Sequence, residues 1–469
     1  MRIGLINPNR EIKEPAVHLG LGYIASYASQ SYSDLNFELL DTRVAKTHEV
    51  KDFLNKSFDF IGISATSQTF LEAVELAQSY RNIWTKTPIV IGGAHCSTVK
   101  EEVLHGFPFD YVVYGEGEVT FTELIGFFKG EKNLSEINGL MYRNRVGEIV
   151  VNPVRELIAD LDTIPFPMYS LFKMSLYAQH RMITTRGCPH RCVFCNSHSI
   201  WTNKYRKRSA ENIIAEIEHL STNYSMKSFS FNDDSFNIDL DRVEKICDYL
   251  IEKKIGIIWS TSVRIERISE AIAKKMKRAG CYNVCIGVES ANNEVLKLMS
   301  KSNTREKIYD GIQIFRNAGI DVMGQFMIGN PGDTLKTIEE SVEYAKTSNL
   351  NGVEFYTALP YKDTQLWEYA NTHGRMLTNK PIWEYHTINP RIVFDTPEFP
   401  FEDRLKAVEL VTQNGFYHAL STDKRNLLLD LGKHTAKLAQ SIFKGKIGNH
   451  IYLFLRNVYR RFFRNGTKN

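Results

Sequence analysis

The sequence has no apolar run long enough to cross a membrane as a helix, and its first residues alternate like a strand instead of forming a charged and then apolar leader. These two absences predict a cytoplasmic protein. The composition, 43% hydrophobic and 24% charged, excludes disordered and fibrous classes. At 469 residues the chain is long enough for two or three domains with cores of their own.

Acidic residues are absent from Ser441 to the end, a stretch with seven Lys or Arg. Because the whole chain has a net charge of +4, the other residues carry a net charge of −3. Basic clusters interleaved with aromatics through the main domains are missing, so we expect no nucleic-acid partner. The pattern of Ile451 to Arg464 predicts a basic amphipathic helix, which either contacts an anionic membrane surface or packs on the rest of the protein.

Seven cysteines are present, an odd number that argues against a disulfide framework. Three of them lie in Thr185-Arg-Gly-Cys188-Pro-His-Arg-Cys192-Val-Phe-Cys195, with spacers of three and two residues. A structural zinc ion takes four ligands, and no fourth cysteine is near. A 4Fe-4S cluster with one open iron fits three cysteines, whereas the alternative is a zinc site completed by His190 or His198.

Short apolar runs alternate with helical patterns up to about residue 128, which predicts a doubly wound parallel sheet. The five predicted strands are Arg2–Pro8, Phe37–Arg43, Phe58–Ser67, Pro88–Ser97 and Tyr111–Glu118, with helices such as Leu19–Gln30 and Thr69–Asn82. Ligands of such sheets bind at the carboxyl ends of the strands. Small or polar residues at these ends are binding candidates or tight turns: Asn7, Ser64, Gly92, Gly93, His95, Gly115, Glu116, Gly117 and Glu118.

A hairpin at 139–153 and an ordered linker at 157–172 precede a second alternating segment. Its six predicted strands are Met182–Arg186, Ser228–Asp234, Gly256–Ser262, Tyr282–Ser290, Asp321–Gly329 and Gly352–Pro360. Helices between them begin at caps such as Ser209 and Ser269. Six strand and helix units predict a partial (β/α)6 barrel with its site at the carboxyl ends of the strands. A mainly α-helical region, including a helix at 400–420, follows.

The alternation of side chains along each strand indicates which face each candidate at these ends lies on. In residues 228–234 the two phenylalanines share a face with Asp233, and Asp234 lies on the polar face, which is predicted to line the barrel. Arg264 ends the third strand and is either an anion-binding residue or a solvated surface cation. Glu289 ends the fourth strand, and Cys285 shares its parity. Cys281 and Cys285 are interpreted as buried thiols, not as a second cluster.

The cysteine run resembles the signature of radical S-adenosylmethionine (SAM) enzymes, including Phe194 before the last cysteine. The resemblance implies that Cys188, Cys192 and Cys195 hold a 4Fe-4S cluster whose free iron chelates SAM, and that the cluster cleaves SAM to a 5'-deoxyadenosyl radical. It also implies SAM contacts from these residues: Phe194, Asp233, Asp234, Arg264, Glu289, Gly324, Gly329 and Pro331. No further catalytic residue is assigned.

The preceding segment is similar to the cobalamin-binding domain of a large subgroup of this family, in its His18-Leu-Gly-Leu-Gly, Gly-Gly-x-His and Gly-Glu-Gly-Glu runs. The resemblance implies cobalamin contacts from these residues: Ser64, Gly92, Gly93, Gly115, Glu116 and Gly117. The Asp-x-His-x-x-Gly motif that ligates cobalt in many cobalamin domains is absent. His95 is then either a substitute ligand or, as we favour, a turn-stabilising histidine.

The resemblance implies four regions: a cobalamin-binding Rossmann-like domain (1–138), a hairpin and linker (139–178), the radical SAM barrel (179–370) and the C-terminal region (371–469). It implies a methyltransferase that modifies an unactivated carbon or phosphorus of a small molecule. The radical removes a substrate hydrogen, and methylcobalamin supplies the methyl group. Alternatives are a cyclase or rearrangement enzyme of the same subgroup and a non-catalytic corrinoid or metal-binding regulator. A flavodoxin or ferredoxin is the expected electron donor.

Overall fold

The computed structural model describes residues 1–10, 16–177, 180–388 and 390–416. The predicted basic helix at 451–464 lies outside the described residues, as does the end of the helix predicted at 400–420. Within the described part, no helix is both long and apolar enough to cross a membrane.

The N-terminal part is a seven-stranded sheet in the order β2-β1-β3-β4-β5-β6-β7. Its elements are β1 Arg2–Asn7, α1 Leu19–Ser31, β2 Asn36–Asp41, α2 Thr47–Leu54, β3 Phe60–Ser64, α3 Phe70–Ile83, β4 Ile89–Gly92, α4 Ala94–Val99, β5 Tyr111–Val113, α5 Gly117–Phe128, β6 Leu140–Arg143 and β7 Ile149–Val151. Strands β1 to β5 are parallel, whereas β6 and β7 form the predicted hairpin and pair antiparallel. Buried apolar clusters cover both faces, as a doubly wound sheet requires.

The sequence placed the ends of all five parallel strands too late, most of all those of β4 and β5. The strand predicted to end at Ser97 ends at Gly92, and the strand predicted to end at Glu118 ends at Val113. At β4 the cause is Gly93, whose φ of +100° turns the chain into α4. A side chain at Gly93 would lie 2.6 Å from the carbonyl oxygen of Ala65, so this glycine is needed where two backbones approach closely.

The second part is a six-stranded, wholly parallel sheet in the order β15-β14-β13-β12-β11-β8. Its elements are β8 His180–Met182, β9 Thr185–Arg186, α6 His198–Trp201, β10 Arg206–Lys207, α7 Ala210–Tyr224, β11 Ser228–Phe231, α8 Leu240–Lys253, β12 Ile258–Ser262, α9 Glu270–Arg278, β13 Cys281–Glu289, α10 Asn293–Leu298, α11 Arg305–Asn317, β14 Asp321–Ile328, α12 Leu335–Thr347 and β15 Gly352–Thr357. Consecutive strands are neighbours, so the predicted partial barrel is confirmed. Ser209 and Ser269 cap α7 and α9 as predicted.

Two barrel strands differ from the prediction. The first strand, predicted at 182–186, is divided: β8 belongs to the barrel, but β9 leaves it and pairs with β10. The second strand ends at Phe231 instead of Asp234, although the predicted alternation holds, with Phe229, Phe231 and Asp233 buried. The second strand therefore ends three residues earlier than the pattern suggested.

The described C-terminal residues contain α13 Gln365–Thr372, β16 Arg375–Met376, β17 Phe394–Asp395 and α14 Phe401–Gln413. Strands β16 and β17 pair antiparallel, and a 3-10 helix covers Ile382–Thr387. The predicted helix at 400–420 begins where expected. It packs on α12 and β14, on the helical side of the barrel.

Candidate active site

The three cysteines lie on one loop, residues 187–205, which we call the cysteine loop. Strands β9 and β10 close its base, pairing Arg186 with Arg206. Gly187 has a φ of +83°, and a side chain there would overlap the carbonyl oxygen of Lys204. Only glycine fits where the two sides of the loop approach so closely.

The sulfur atoms of the loop receive backbone hydrogen bonds. The Ser197 amide donates to Sγ of Cys195 at 3.5 Å, and the His190 amide donates to Cys188. Burial raises the pKa of Cys195 to about 11 and also raises that of Cys188, and the Asp234 carboxylate adds to both shifts. Thiolates at these positions therefore need the compensating charge of a metal centre.

The donor set agrees with a cluster. Three cysteines of one loop are the ligands that a 4Fe-4S cluster with one open iron takes, with one sulfur at each of three irons. Across residues 1–10, 16–177, 180–388 and 390–416, no three Cys, His, Asp or Glu side chains lie close enough together to hold a single metal ion. The zinc alternative would need His190 or His198 as a further ligand, and Nε2 of His198 lies 3.4 Å from the carbonyl oxygen of Asp363.

Asp233 and Asp234, predicted together as SAM contacts, have separate surroundings. Asp233 is buried, and its Oδ1 accepts from the amides of Thr184 at 2.7 Å and Thr185 at 2.9 Å, while Oδ2 accepts from the Thr184 hydroxyl. It fixes the chain between β8 and β9. Asp234 is exposed and accepts from the Ser197 hydroxyl at 2.6 Å, beside the cysteines.

Arg264 and Glu289 reach the same end of the barrel, each with a partner of opposite charge. Arg264 is nearly buried, so the surface alternative is wrong; its Nε donates to Glu266 at 2.7 Å, and it also acts on the pKa of Cys188. Glu289 lies 3.1 Å from Nζ of Lys301. This ion pair gives the acid a structural role that the sequence did not suggest.

A β-bulge lies beside Glu289. Gly287 pairs with Gln325, but the next pairing joins Glu289 to Phe326, so one extra residue enters β13. Glu289 itself has a φ of +66°, which is uncommon outside glycine. Its carboxylate still lies on the face of Gly287 and the half-buried Cys285, because a side chain at Gly287 would overlap Oε1 of Glu289.

The predicted SAM contacts from Gly324 to Pro331 are divided between two faces. Gly324 points toward the helices, where a side chain would lie 2.7 Å from Leu350, so the structure does not bring it to the cysteines. Gly329 and the buried Pro331 do lie in the turn after β14. The turn is shaped by Asp333, which accepts from the amides of Gly329 at 3.0 Å and of Asn330 at 2.8 Å.

Asp333 and Arg404 are functional candidates that the sequence reasoning missed. Burial raises the pKa of Asp333 to about 6, while it lowers the pKa of Arg404 to about 10. Arg404, on α14, is buried against Gly329, where a side chain would overlap its guanidinium. A helix far along the chain therefore supports this turn, and no local motif indicates it.

Phe194 is half-buried and packs beside Met327 near the end of β14. Its neighbour Val193 accepts a backbone bond from Leu366 and donates one to Met299. The cysteine loop is thus also bonded to the end of α10 and the start of α13, which follow β13 and β15, whereas Asp234 follows β11.

At some of the predicted positions in the N-terminal sheet, the backbone is accessible to a ligand. A side chain added at Gly115, with φ +75°, would meet nothing within 4 Å, and its amide donates to Oγ of Ser97 at 2.9 Å. Ser64 lies half-buried beside Gly93, while Gly92 contacts Val113. These strand ends can accept a ligand at the backbone.

Orphaned polar atoms at the same edge agree with a bound polar ligand. Asn7, at the end of β1, is 3% exposed, and its Nδ2 has no hydrogen-bond partner among the described residues. The nearby Oδ1 of Asn9 is also buried and has no partner in that part of the chain. Buried amides normally find a partner, so a group rich in amide donors and acceptors, such as cobalamin, fits this edge.

Glu116 and Gly117, both predicted to contact cobalamin, lie at the start of α5. Gly117 begins α5 with ordinary side-chain space around it. Glu116 accepts from Arg186 at 2.7 Å and from Arg206 at 2.9 Å, and Glu118 pairs with Arg186. All four charged side chains are less than a tenth exposed. The acids of the Gly-Glu-Gly-Glu run thus bind the base of the cysteine loop.

His95 is a buried residue of the N-terminal part. Its ring lies 4.2 Å from that of Phe70 and 5.6 Å from that of Trp383, and Nδ1 bonds the Ser67 hydroxyl at 3.0 Å. Burial lowers its pKa to about 3. The bond to Ser67, in the turn after β3, agrees with the turn-stabilising role favoured from the sequence. Nε2 is buried and has no hydrogen-bond partner among the described residues, so a role as cobalt ligand stays an untested alternative.

Comparison with known proteins agrees with both halves of this arrangement. Residues 182–345 match the Radical SAM superfamily, and residues 9–125 match the B12 binding domain. An uncharacterized methyltransferase of Pyrococcus horikoshii is 32% identical over 379 residues, covering 79% of this chain and 82% of the relative. The anaerobic magnesium-protoporphyrin IX monomethyl ester cyclase of Rubrivivax gelatinosus is 27% identical, covering 77% and 69%.

Among solved structures, the fold is similar to that of the radical SAM methyltransferase TsrM from Kitasatospora setae, which holds cobalamin and a 4Fe-4S cluster. The TM-score is 0.69 at 18% identity, covering 81% of this chain and 78% of the other. A cysteine loop at the ends of a partial barrel, joined to a sheet of the B12-binding type, is the shared architecture. The chain belongs to the cobalamin-binding radical SAM enzymes.

Proposed function

We propose that this protein is a cobalamin-dependent radical SAM methyltransferase that modifies an unactivated carbon or a phosphorus of a small molecule. The observation that carries the proposal is the contact between the cysteine loop and the carboxyl edge of the N-terminal sheet, made by Arg186 and Arg206 with Glu116. A barrel that used SAM alone would have no need for a second ligand-binding edge beside its cluster.

We assign the cluster to Cys188, Cys192 and Cys195 and place SAM beside Asp234, Phe194 and the turn at Gly329 to Pro331. Cobalamin is assigned to the edge that contains Ser64, Gly92 and Gly115. When bound, the cluster supplies an electron for SAM cleavage and cobalamin carries the methyl group. Asp234 and the backbone surface of the turn, which Asp333 holds in place, position SAM, and the packed side chains of Val193 and Phe194 exclude water.

The interior of the barrel provides room for the substrate. The half-buried faces of the strands carry Cys285, Gln325 and Tyr356, whereas the alternate residues are buried against the helices. Polar groups here would hold the substrate between the two cofactors. A small redox protein such as flavodoxin or ferredoxin is the proposed source of electrons.

The test begins with enzyme reconstituted without oxygen in the presence of cobalamin. Reduction with dithionite and addition of SAM carrying a labelled methyl group, together with a small-molecule extract of the host, should give labelled product, 5'-deoxyadenosine and S-adenosylhomocysteine. The control is the Cys195→Ala variant, which should form no 5'-deoxyadenosine. Failure to bind cobalamin would refute the methyltransferase proposal.

A cyclase is the second candidate, because the Rubrivivax gelatinosus relative has that name. The same experiment separates the two candidates. Cyclisation consumes SAM by reductive cleavage alone, so it would give 5'-deoxyadenosine without S-adenosylhomocysteine and without a labelled product.

A further inference from the structure

Two sets of contacts bind the cysteine loop to the N-terminal sheet. One lies at the base of the loop, and the other lies directly after the three cysteines. We propose that Glu116, Glu118 and Thr98 are positioning residues that fix the loop relative to the strand ends and so set the separation of the cluster from cobalamin. The inference rests on the proposed function, since it requires both cofactors.

The first set lies at the base of the loop, where Arg186 precedes Cys188 and Arg206 follows Cys195. Nη1 of Arg186 donates to Oε1 of Glu116 at 2.7 Å, and its Nη2 donates to Oε1 of Glu118 at 2.5 Å. Nη1 of Arg206 donates to both oxygens of Glu116 at 2.9 Å and to the carbonyl oxygen of Ile158 at 2.6 Å. Two guanidinium groups and two carboxylates thus share one buried, electrically balanced site.

The geometry of this site is tightly determined. Pairing of β9 with β10 sets the two arginines side by side. The Arg186 guanidinium lies 5.5 Å from the ring centres of both Tyr23, on α1, and Trp201, in the cysteine loop. The planar arginine fork therefore has few alternative orientations. Any displacement of the loop base would separate charges that have no access to water.

The second set lies after Cys195. Nδ2 of Asn196 donates to Oγ1 of Thr98 at 2.7 Å, and Thr98 lies in α4, directly after the β4 end. The adjacent Ser97 hydroxyl accepts from the Gly115 amide. Both sets of contacts thus reach the ends of β4 and β5, the edge assigned to cobalamin.

An ion pair elsewhere provides a matched comparison. Nζ of Lys362, after β15, lies 2.7 Å from Oε1 of Glu102, after α4, so this pair also spans the two parts of the molecule. Its side chains are 48% and 43% exposed, whereas those of Glu116 and Glu118 are 2% and 6% exposed. An exposed pair of this kind restricts position weakly.

The separation can be measured by pulsed EPR between the spins of cob(II)alamin and the reduced cluster in the reconstituted, dithionite-treated enzyme. Wild-type protein and the Glu102→Gln control should give one narrow distance distribution. Glu118→Gln and Thr98→Val should broaden or shift it, and Glu118→Asp, which keeps the charge, should restore a narrow distribution. Hydrogen exchange of residues 187–205 in cofactor-free protein should quicken in the same two variants.

Identical distributions and exchange rates in wild type, Glu118→Gln and Thr98→Val would overturn the inference, even if the variants were less stable. If Glu118→Gln does not fold, Thr98→Val decides alone, because it removes only the bond from Asn196 and a bond to the Ala94 carbonyl oxygen within α4, with almost no change in volume. Wild-type protein that loads the cluster but never cobalamin would overturn the proposed function instead.

Discussion

Replacement of Asp233 tests whether its carboxylate contacts SAM or stabilises the fold. The family resemblance implies that Asp233 contacts SAM, whereas the structure has it accepting two backbone amides and a hydroxyl on the chain that enters the cysteine loop. We expect Asp233→Ala to destabilise the cofactor-free protein and to leave the intrinsic affinity for SAM nearly unchanged in the molecules that remain folded.

The expected loss in free energy of unfolding follows from the buried groups that the substitution leaves without a partner. The buried amides of Thr184 and Thr185 would lose their acceptor, at about 1–3 kcal/mol each. Arg242, 4% exposed, would lose the nearby negative charge, although it still donates to the carbonyl oxygens of Thr184 and Phe236. Burial raises the pKa of Asp233, so the cost of ionising this carboxyl in the folded protein offsets part of the stabilisation that its contacts provide. We expect a net loss of about 3 kcal/mol.

The assay is urea unfolding of cofactor-free protein, followed by circular dichroism, together with equilibrium binding of SAM to reconstituted enzyme. Asp233→Asn should lose less stability, because one oxygen can still accept both amides. Asp234→Ala is the matched control: it is exposed, so its unfolding midpoint should stay close to that of wild type while SAM binding weakens. The reasoning is refuted if Asp233→Ala unfolds like wild type and weakens SAM binding instead.

Three further substitutions test other parts of the site. Gly187→Ala should lower the iron and sulfide content by more than half, because the new side chain overlaps the Lys204 carbonyl; normal content would contradict this packing. The raised pKa of Asp333 means that its protonated form stabilises the fold and that stability falls as the pH rises from about 4 to about 6. Asp333→Asn should therefore gain on the order of 2–3 kcal/mol over wild type across that range in urea unfolding, and a constant difference would contradict the assignment. His95→Phe should leave the ultraviolet-visible spectrum of bound cobalamin unchanged, and a shifted spectrum would show that His95 ligates cobalt.

The periodicity of apolar residues was sufficient to predict most helices and strands, because each of these elements buries one face. Helices predicted at 19–30 and 69–82 occur at Leu19–Ser31 and Phe70–Ile83, and all six barrel strands occur in order. Strand ends were less predictable. Apolar and small residues continue from β4 into α4, so alternation alone could not show the break at Gly93, which depends on the backbone of Ala65, distant in sequence.

Local motifs identified the cysteine loop but not its surroundings. The three cysteines and Gly187 are close in sequence, so their spacing carries the information. The partners of Arg264 and Glu289 are Glu266 and Lys301, and the bulge beside Glu289 depends on pairing with β14. Nothing in the order of residues within one strand encodes the register of its neighbour, so these contacts required the structure.

For the acids of the Gly-Glu-Gly-Glu run, a second physical rule could have predicted their partners from the sequence. An acid at a strand end suggests a ligand, but a buried carboxylate must also be paired with a cation. Arg186 and Arg206 bracket the cysteine loop, and they meet at one point only when β9 pairs with β10. Glu116 lies 70 residues from Arg186. Because the two motifs neutralise each other, the arginine of the cysteine signature belongs to the contact with the N-terminal sheet, and the first acid of the run is better explained by that contact than by cobalamin.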